Sequence, residues 1–343
     1  MTGQIDFREV SDLLRLPVKP LVSVVIFAYR HEPYIAQAIQ GVISQIVDFP
    51  IELIIGEDCS PDGTLAIALD YQQRYPSKIR VLTGDKNVGG HANVARCVRA
   101  ARGLFIALCD GDDYWHHPQK IKMQIELMLR NTEMTGCHTE CDRLIGRRLK
   151  RNLHARSQQT RIAQGDAYRD LLHVETVMTA TAIYPTEIVK AFLASPFNRR
   201  DWPFGDYNLA LFASVKGTIG YIQISTATWR KMPGSAMNSG FSSILRMDLA
   251  AIECRKLFML HYPVSEEIRR SVMRDANQRA MRSAFYAGDV EQYAQALMRF
   301  QEAGGTTNRR LHFFRLFAIR TFAPLAIIRL GKKFILLVTT KML

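Results

Sequence analysis

Apolar residues bunch into short runs along the first third of the chain, separated by polar, periodic stretches. "LVSVVIFA" (21–28) is continuous and β-branched, the pattern of a strand buried on both faces. Ile35, Ala38, Ile39, Val42, Ile43 and Ile46 follow at three-to-four spacing, which predicts an amphipathic helix. "IELIIGE" (51–57) is a second buried strand, and the helical pattern of Leu65, Ala68, Leu69 and Gln72 ends at Pro76. "IRVLTG" (79–84) is a third strand, "HANVARCVRAAR" a helix stopped by Gly103, and "LFIALC" (104–109) a fourth strand. Such alternation predicts an α/β fold with a mostly parallel sheet flanked by helices. Ligands of such sheets bind beyond the carboxyl ends of the strands, where Asp58 and Asp110 stand.

Past residue 120 the rhythm loosens. "KIKMQIELMLR" reads as a helix, "TGCHTECDRLIG" and "VMTATAIY" (177–184) as strands, and "GRRLKRNLHARSQQTR" (146–161) as an exposed basic loop. A helix beginning near Asp206 precedes the β-rich run "TIGYIQISTATWR". From Ser243 to about Ala303 the pattern is helical, broken at "HYPVS" and "AGD". The predicted organisation is a leader (1–20), a domain of two halves (21–130 and 131–235), a C-terminal helical region (236–308) and a tail (309–343).

Three stretches carry candidate chemistry. In "IALCDGDDYW" (106–115) an apolar strand runs into Asp110, Asp112 and Asp113, three like charges that resist burial unless something positive sits among them. Asp-x-Asp at a strand end points both carboxylates the same way, which suits a hard divalent cation such as Mn²⁺ or Mg²⁺. The competing reading is a solvated turn leading into the helix that follows Pro118. In "GEDCSPDGT" (56–64), Asp62 and Thr64 suit a helix cap, which leaves Asp58 to accept from a nucleobase N–H or a ribose hydroxyl. "KNVGGHANVARC" (86–97) passes a glycine pair into a helix N-terminus, a place for anions, without G-x-G-x-x-G or Walker spacing. Cys137 and Cys141 in "CHTEC" lack a second ligand pair at zinc spacing, so a plain strand is the better reading.

In order and spacing, "VSVVIFAYRHEPYIAQAIQGVISQ", "IIGEDCSPDGT" and "NVGGHANVARCVRAARGLFIALCDGDDYW" resemble the nucleotide-binding half of family-two, GT-A type, inverting glycosyltransferases. The resemblance covers residues 21 to about 130 and thins out towards 235. It implies that Asp58 contacts the uracil and ribose of a UDP-sugar, and that Asp110 and Asp112 form the Asp-x-Asp pair, with the metal held chiefly by Asp112. Asp113 matches a frequent extra donor-side acid. The family's general base about ninety residues on implies Asp206, with Gly205 where Glu is usual and Asp201 as the rival. "WRKMPGSAMNSG" (229–240) resembles an Arg-x-x-Pro-Gly-Ser element, which implies Arg230 near the donor diphosphate.

Composition adds little until charge is mapped. The chain has 343 residues, 48% apolar and 22% charged, with net charge +13. Eight of its 45 Lys and Arg, and none of its 32 acids, fall in 309–343. That aromatic, basic tail has no run long enough to span a bilayer and reads as an interfacial segment on an anionic membrane, the competing reading being a helix packed on the catalytic domain with its cations in water. The N-terminus carries no secretory run, and six scattered cysteines suggest reduced thiols, so a cytoplasmic, peripheral inner-membrane location is expected. The expected partners are a nucleotide sugar and a glycan or lipid-linked acceptor, with no nucleic acid. The alternative is a non-catalytic protein holding lipid or nucleic acid through the tail. A nucleotidyltransferase would need a Gly-rich, Arg- and Lys-bearing opening that "FAYRHEP" does not supply.

Overall fold

The computed structural model describes residues 7–156, 161–232 and 240–307. The chain divides into two compact units, one of Met1–Arg200 with Phe204–Lys231, the other of Asp201–Pro203 with Met232–Leu343.

In the first unit β1 (Arg8–Val10) precedes the predicted alternation of β2 (Val22–Ala28), α1 (Ile35–Ile43), β3 (Ile51–Glu57), α2 (Thr64–Arg74), β4 (Ile79–Thr83), α3 (Gly90–Ala100) and β5 (Phe105–Asp110). Then come β6 (Tyr114–Trp115), α4 (Lys120–Arg130), β7 (Met134–Ile145), β8 (Arg148–Lys150), α5 (Leu153–Arg156) and α6 (Tyr168–His173). A 3-10 turn (Thr179–Thr181), β9 (Ile183–Pro185), α7 (Thr186–Leu193), α8 (Asp206–Ser214) and β10 (Thr218–Lys231) complete it.

The sheet runs β1-β4-β3-β2-β5-β9-β7-β10-β6, with β8 paired to β7. Strands β4, β3, β2 and β5 are parallel neighbours, as are β7 and β10. Antiparallel pairings, shorter throughout, attach β1, β9, β8 and β6. The sheet is therefore mixed and, by paired length, mostly parallel, as the apolar runs predict. Val22, Val24 and Ile26 are wholly buried, and they pack with Ile35, Ala38 and Ile39 of α1 in one core. Chain order moves from β2 out to β3 and β4, then returns to the other side of β2 with β5. That reversal leaves a crevice at the strand ends between β2 and β5.

Two stretches differ from expectation. The predicted strand 177–184 is a 3-10 turn followed by β9, because side chains of another segment capture the carbonyls of Ala180 and Thr181. The predicted loop 146–161 contains β8, which folds back on β7 through Leu144↔Leu149, and the short α5.

The second unit is built of α9 (Phe241–His261), α10 (Glu266–Ala287) and α11 (Val290–Glu302), around Leu245, Ile252, Ala280, Ala284, Tyr293 and Phe300. The helices break at the two predicted places. Ser265 caps α10 by accepting from the Ile268 N–H, Gly288 closes it at φ 74°, and Asp289 caps α11. Among the described residues no helix is long and apolar enough to cross a membrane. The tail, 309–343, lies outside the described residues.

Candidate active site

The carboxyl ends of β2, β3 and β5 come level because their registers align, Ala28 with Glu57 and Phe27 with Asp110. The loops that leave these ends lock onto one another. The Arg30 N–H donates to Ser60 Oγ (3.0 Å), His31 N–H to Thr64 Oγ1 (2.9 Å) and Gly63 N–H to Glu32 Oε2 (2.8 Å). Buried Glu57 accepts from the Ser60 and Cys59 N–H groups, and Cys59 holds a left-handed φ of 54°.

Asp58, only 2% exposed, turns its carboxylate to the glycine loop. Oδ1 accepts from the Val88 N–H and Oδ2 from the Gly89 N–H, each at 2.9 Å. Gly89 has φ 83°, which a side-chain-bearing residue adopts only at a cost. The Arg96 guanidinium of α3 lies 3.8 Å from Asp58 and donates to the Glu57 carbonyl at 2.6 Å. Its Nη1 is buried without a protein partner. Asp58 thus fixes the glycine loop.

Asp110 ends β5, and a turn closed by the Asp113 N–H on the Asp110 carbonyl (3.1 Å) carries the remaining acids. Gly111 is required there. Its N–H donates to the Phe27 carbonyl at 2.8 Å, and an added Cβ would stand 2.9 Å from that oxygen. Asp113 is buried and accepts from the Arg230 backbone N–H at 2.8 Å. Burial, then repulsion from Asp110 and Asp112, hold its carboxyl well above the usual range. Asp112 remains partly open, with His31 Nε2 at 4.0 Å.

Arg230, on β10, is buried with its guanidinium between the Tyr114 ring (4.4 Å) and the Tyr34 ring (5.2 Å). It donates to the Asp112 carbonyl (2.6 Å) and to Gln37 Oε1. Its charge therefore lies behind the acidic turn.

Asp206 is the first residue of α8, where the helix dipole favours an anion. Its Oδ2 accepts from the Thr179 hydroxyl and its Oδ1 from the Tyr207 N–H, both at 2.9 Å. Asp206 and Asp110 are close enough to repel. Burial, Asp112 and Asp206 push the Asp110 carboxyl up to about 8, against a lowering hydrogen bond from Thr179. The structure thus brings Asp110 and Asp206 together at Thr179, with Asp112 and Asp113 on the turn that follows Asp110. Asp58 and Arg230 hold the adjoining loops, and Asp201 falls in the second unit.

This donor set fits a hard divalent cation. It is all carboxylate oxygen, and Asp112 and Asp206 raise the proton affinity of Asp110. Among the described residues no three His, Cys, Asp or Glu side chains already form a cage, so most ligands must come from elsewhere. Cys137 and Cys141 lie buried in β7.

Sequence reasoning missed Thr179, His31, Tyr34, Tyr114 and Arg96. Arg96 alone left a signal, a cation amid the buried positions of an apolar helix face.

A family model described as "Glycosyl transferase family 2" matches residues 23–191. The Mycobacterium tuberculosis protein Rv1520 is 41% identical over 116 residues, 34% of each chain. Escherichia coli WfgD, a UDP-Glc:α-D-GlcNAc-diphosphoundecaprenol β-1,3-glucosyltransferase, is 35% identical over 113 residues, 32% of this chain and 42% of its own. The matched segments thus span well under half of these relatives. Among solved structures, Staphylococcus aureus TarS 1–349 in complex with UDP-GlcNAc superposes with TM-score 0.54 at 16% identity, over 84% of this chain and 93% of that one. The mannosyltransferase PcManGT from Pyrobaculum calidifontis, in complex with GDP-Man and Mn²⁺, gives 0.55 at 13% identity, over 89% and 82%. At these identities the likeness is one of fold.

Proposed function

Because residues 23–191 are a glycosyl transferase family 2 domain of GT-A type fold, we propose that the chain transfers a sugar from a nucleotide donor to a glycan or lipid-linked hydroxyl. The donor is a UDP-sugar, and the reaction is an inverting single displacement. The observation that carries this reading is the meeting of Asp206, at the start of α8, with Asp110 at the end of β5. On this reading Asp110 serves the donor and Asp206 the acceptor.

Asp58 takes the nucleoside, assisted by the loop it anchors. Asp112, with Asp110, would hold Mn²⁺ or Mg²⁺, which when bound neutralises charge building on the leaving diphosphate. Asp113 and Arg230 hold the turn that presents Asp112, and Arg230 adds positive charge behind it. Asp206 accepts the proton of the acceptor hydroxyl as that oxygen bonds to the anomeric carbon and the carbon–phosphate oxygen bond breaks. Cell-surface polysaccharide synthesis, on the inner face of the membrane, suits an acceptor of this kind. The basic tail 309–343 would then attach the enzyme to anionic lipid.

The test is a panel of UDP-glucose, UDP-GlcNAc and GDP-mannose with Mn²⁺, reading nucleoside diphosphate release. One donor is expected to turn over, and Asp206→Asn is expected to bind it unchanged and lose at least about 100-fold in kcat. Undiminished turnover by Asp206→Asn rules out the base assignment.

A further inference from the structure

We propose that Thr179 is a positioning residue for Asp206, held in place by Trp115, Lys120 and Gln124 from the segment that directly follows the acidic turn. The inference rests on reading Asp206 as the base and adds the device that aims it.

The Thr179 hydroxyl donates to Asp206 Oδ2 at 2.9 Å and lies within hydrogen-bonding reach of Asp110 as well. The 3-10 turn does not need that hydroxyl. It is closed by the Thr181 N–H on the Met178 carbonyl, the Ala182 N–H on the Thr179 carbonyl, and Thr181 Oγ1 on the Met178 carbonyl. The Thr179 side chain is left to face the carboxylates. With one oxygen held by Thr179 and the other by the Tyr207 N–H, the Asp206 carboxylate has a fixed plane. Each oxygen keeps a lone pair for an acceptor proton.

The turn itself is clamped from the donor half. Trp115 Nε1 donates to the Ala180 carbonyl at 2.7 Å. Gln124 Nε2 donates to the Thr181 carbonyl at 2.9 Å, and Lys120 Nζ donates to the same oxygen at 3.3 Å. Lys120 also donates to Gln124 Oε1 at 2.7 Å and sits 4.3 Å over the Trp115 ring. Lys120 and Gln124 are one helical turn apart on α4, so they meet on one face. Lys120 is wholly buried and, among the described residues, has no carboxylate against it, an arrangement that costs free energy. Among the described residues, its ammonium hydrogen-bonds Gln124 and the Thr181 carbonyl, both parts of this clamp. The chain therefore runs from Asp113 into Trp115, and on to the two residues that fix the turn bearing Thr179. Donor-side turn and base share one support.

Positioning is separable from folding by comparing Thr179→Val, which keeps the shape, with Thr179→Ser, which keeps the hydroxyl. In the full-length protein, with the active donor of the panel, Thr179→Val is expected to lower kcat about 10- to 100-fold. Its affinity for UDP in Mn²⁺ should stay within about twofold, and Thr179→Ser should recover most of the kcat. Asp206→Asn is measured alongside. Wild-type kcat in Thr179→Val, with Asp206→Asn inactive, overturns the inference and leaves the base assignment standing. Equal losses in Thr179→Val and Thr179→Ser overturn it too. Full turnover by Asp206→Asn removes the base assignment, and this inference with it.

Discussion

Asp110, Asp112 and Asp113 look alike in the sequence and differ in what they touch. Asp113 is buried on the Arg230 N–H, Asp110 faces Asp206 across Thr179, and Asp112 stays the most open. Strand alternation suggested pairing Asp110 with Asp112, but β5 ends at Asp110 and Asp112 lies on the turn that follows, so its direction is set by that turn. The partners of Asp113 and Arg230 lie more than a hundred residues apart, so neither was legible. Thr179 was hidden for the same reason, since a threonine in an apolar run carries no signal until its neighbours are known. Lys120 permits a direct test of burial at this scale. Desolvation disfavours its ammonium and holds it at about 7, below the ordinary lysine value. Between pH 7 and 10 the unfolded chain therefore keeps a proton that the folded chain has released, and stability from this group rises with pH. The rise approaches about 1.4 kcal/mol per pH unit. Lys120→Met is expected to flatten melting temperature against pH over 7–9 relative to wild type, measured by circular dichroism. An unchanged slope contradicts the burial account.

At the scale of elements, the βαβ alternation was plain because strands buried on both faces are unbroken apolar runs. Helix α8 starts at Asp206, where the sequence placed a helix start. The short pieces were not legible. Strands β1 and β6 are three and two residues long, and each exists only through a partner strand. The 3-10 turn replaced a predicted strand because Trp115, Lys120 and Gln124 reach its carbonyls before a neighbouring strand does. Polar Ser23, Glu52 and Arg80 also sit on the buried strands, joined by a Ser23–Glu52 bond of 2.6 Å and an Arg80–Glu52 pair at 3.0 Å. The turn after β5 offers the sharpest element-level prediction. Gly111→Ala sets a Cβ 2.6 Å from His31 Nδ1 and 2.9 Å from the Phe27 carbonyl. The histidine ring is a side chain, whereas the carbonyl is fixed in β2. The turn must shift, at a cost of about 1–3 kcal/mol in stability. UDP affinity in Mn²⁺, by calorimetry, is expected to fall about 10-fold, and wild-type affinity in Gly111→Ala contradicts the close packing.

At the scale of the whole molecule, the family match covers part of the chain. The family model stops at residue 191, before Asp206, Arg230 and the three-helix unit. Residues 23–191, which include Asp58 and the acidic turn, are therefore the part whose sequence follows the family. The central claim is that the acidic turn binds a nucleoside diphosphate through a divalent cation. Titration of UDP into the full-length protein by calorimetry tests it, in Mn²⁺ and again in EDTA, for wild type and Asp112→Ala. The account predicts binding by wild type in Mn²⁺, a loss of at least about 10-fold in EDTA, and the same loss for a folded Asp112→Ala even with Mn²⁺ present. UDP binding that is indifferent both to Mn²⁺ and to Asp112 would contradict it.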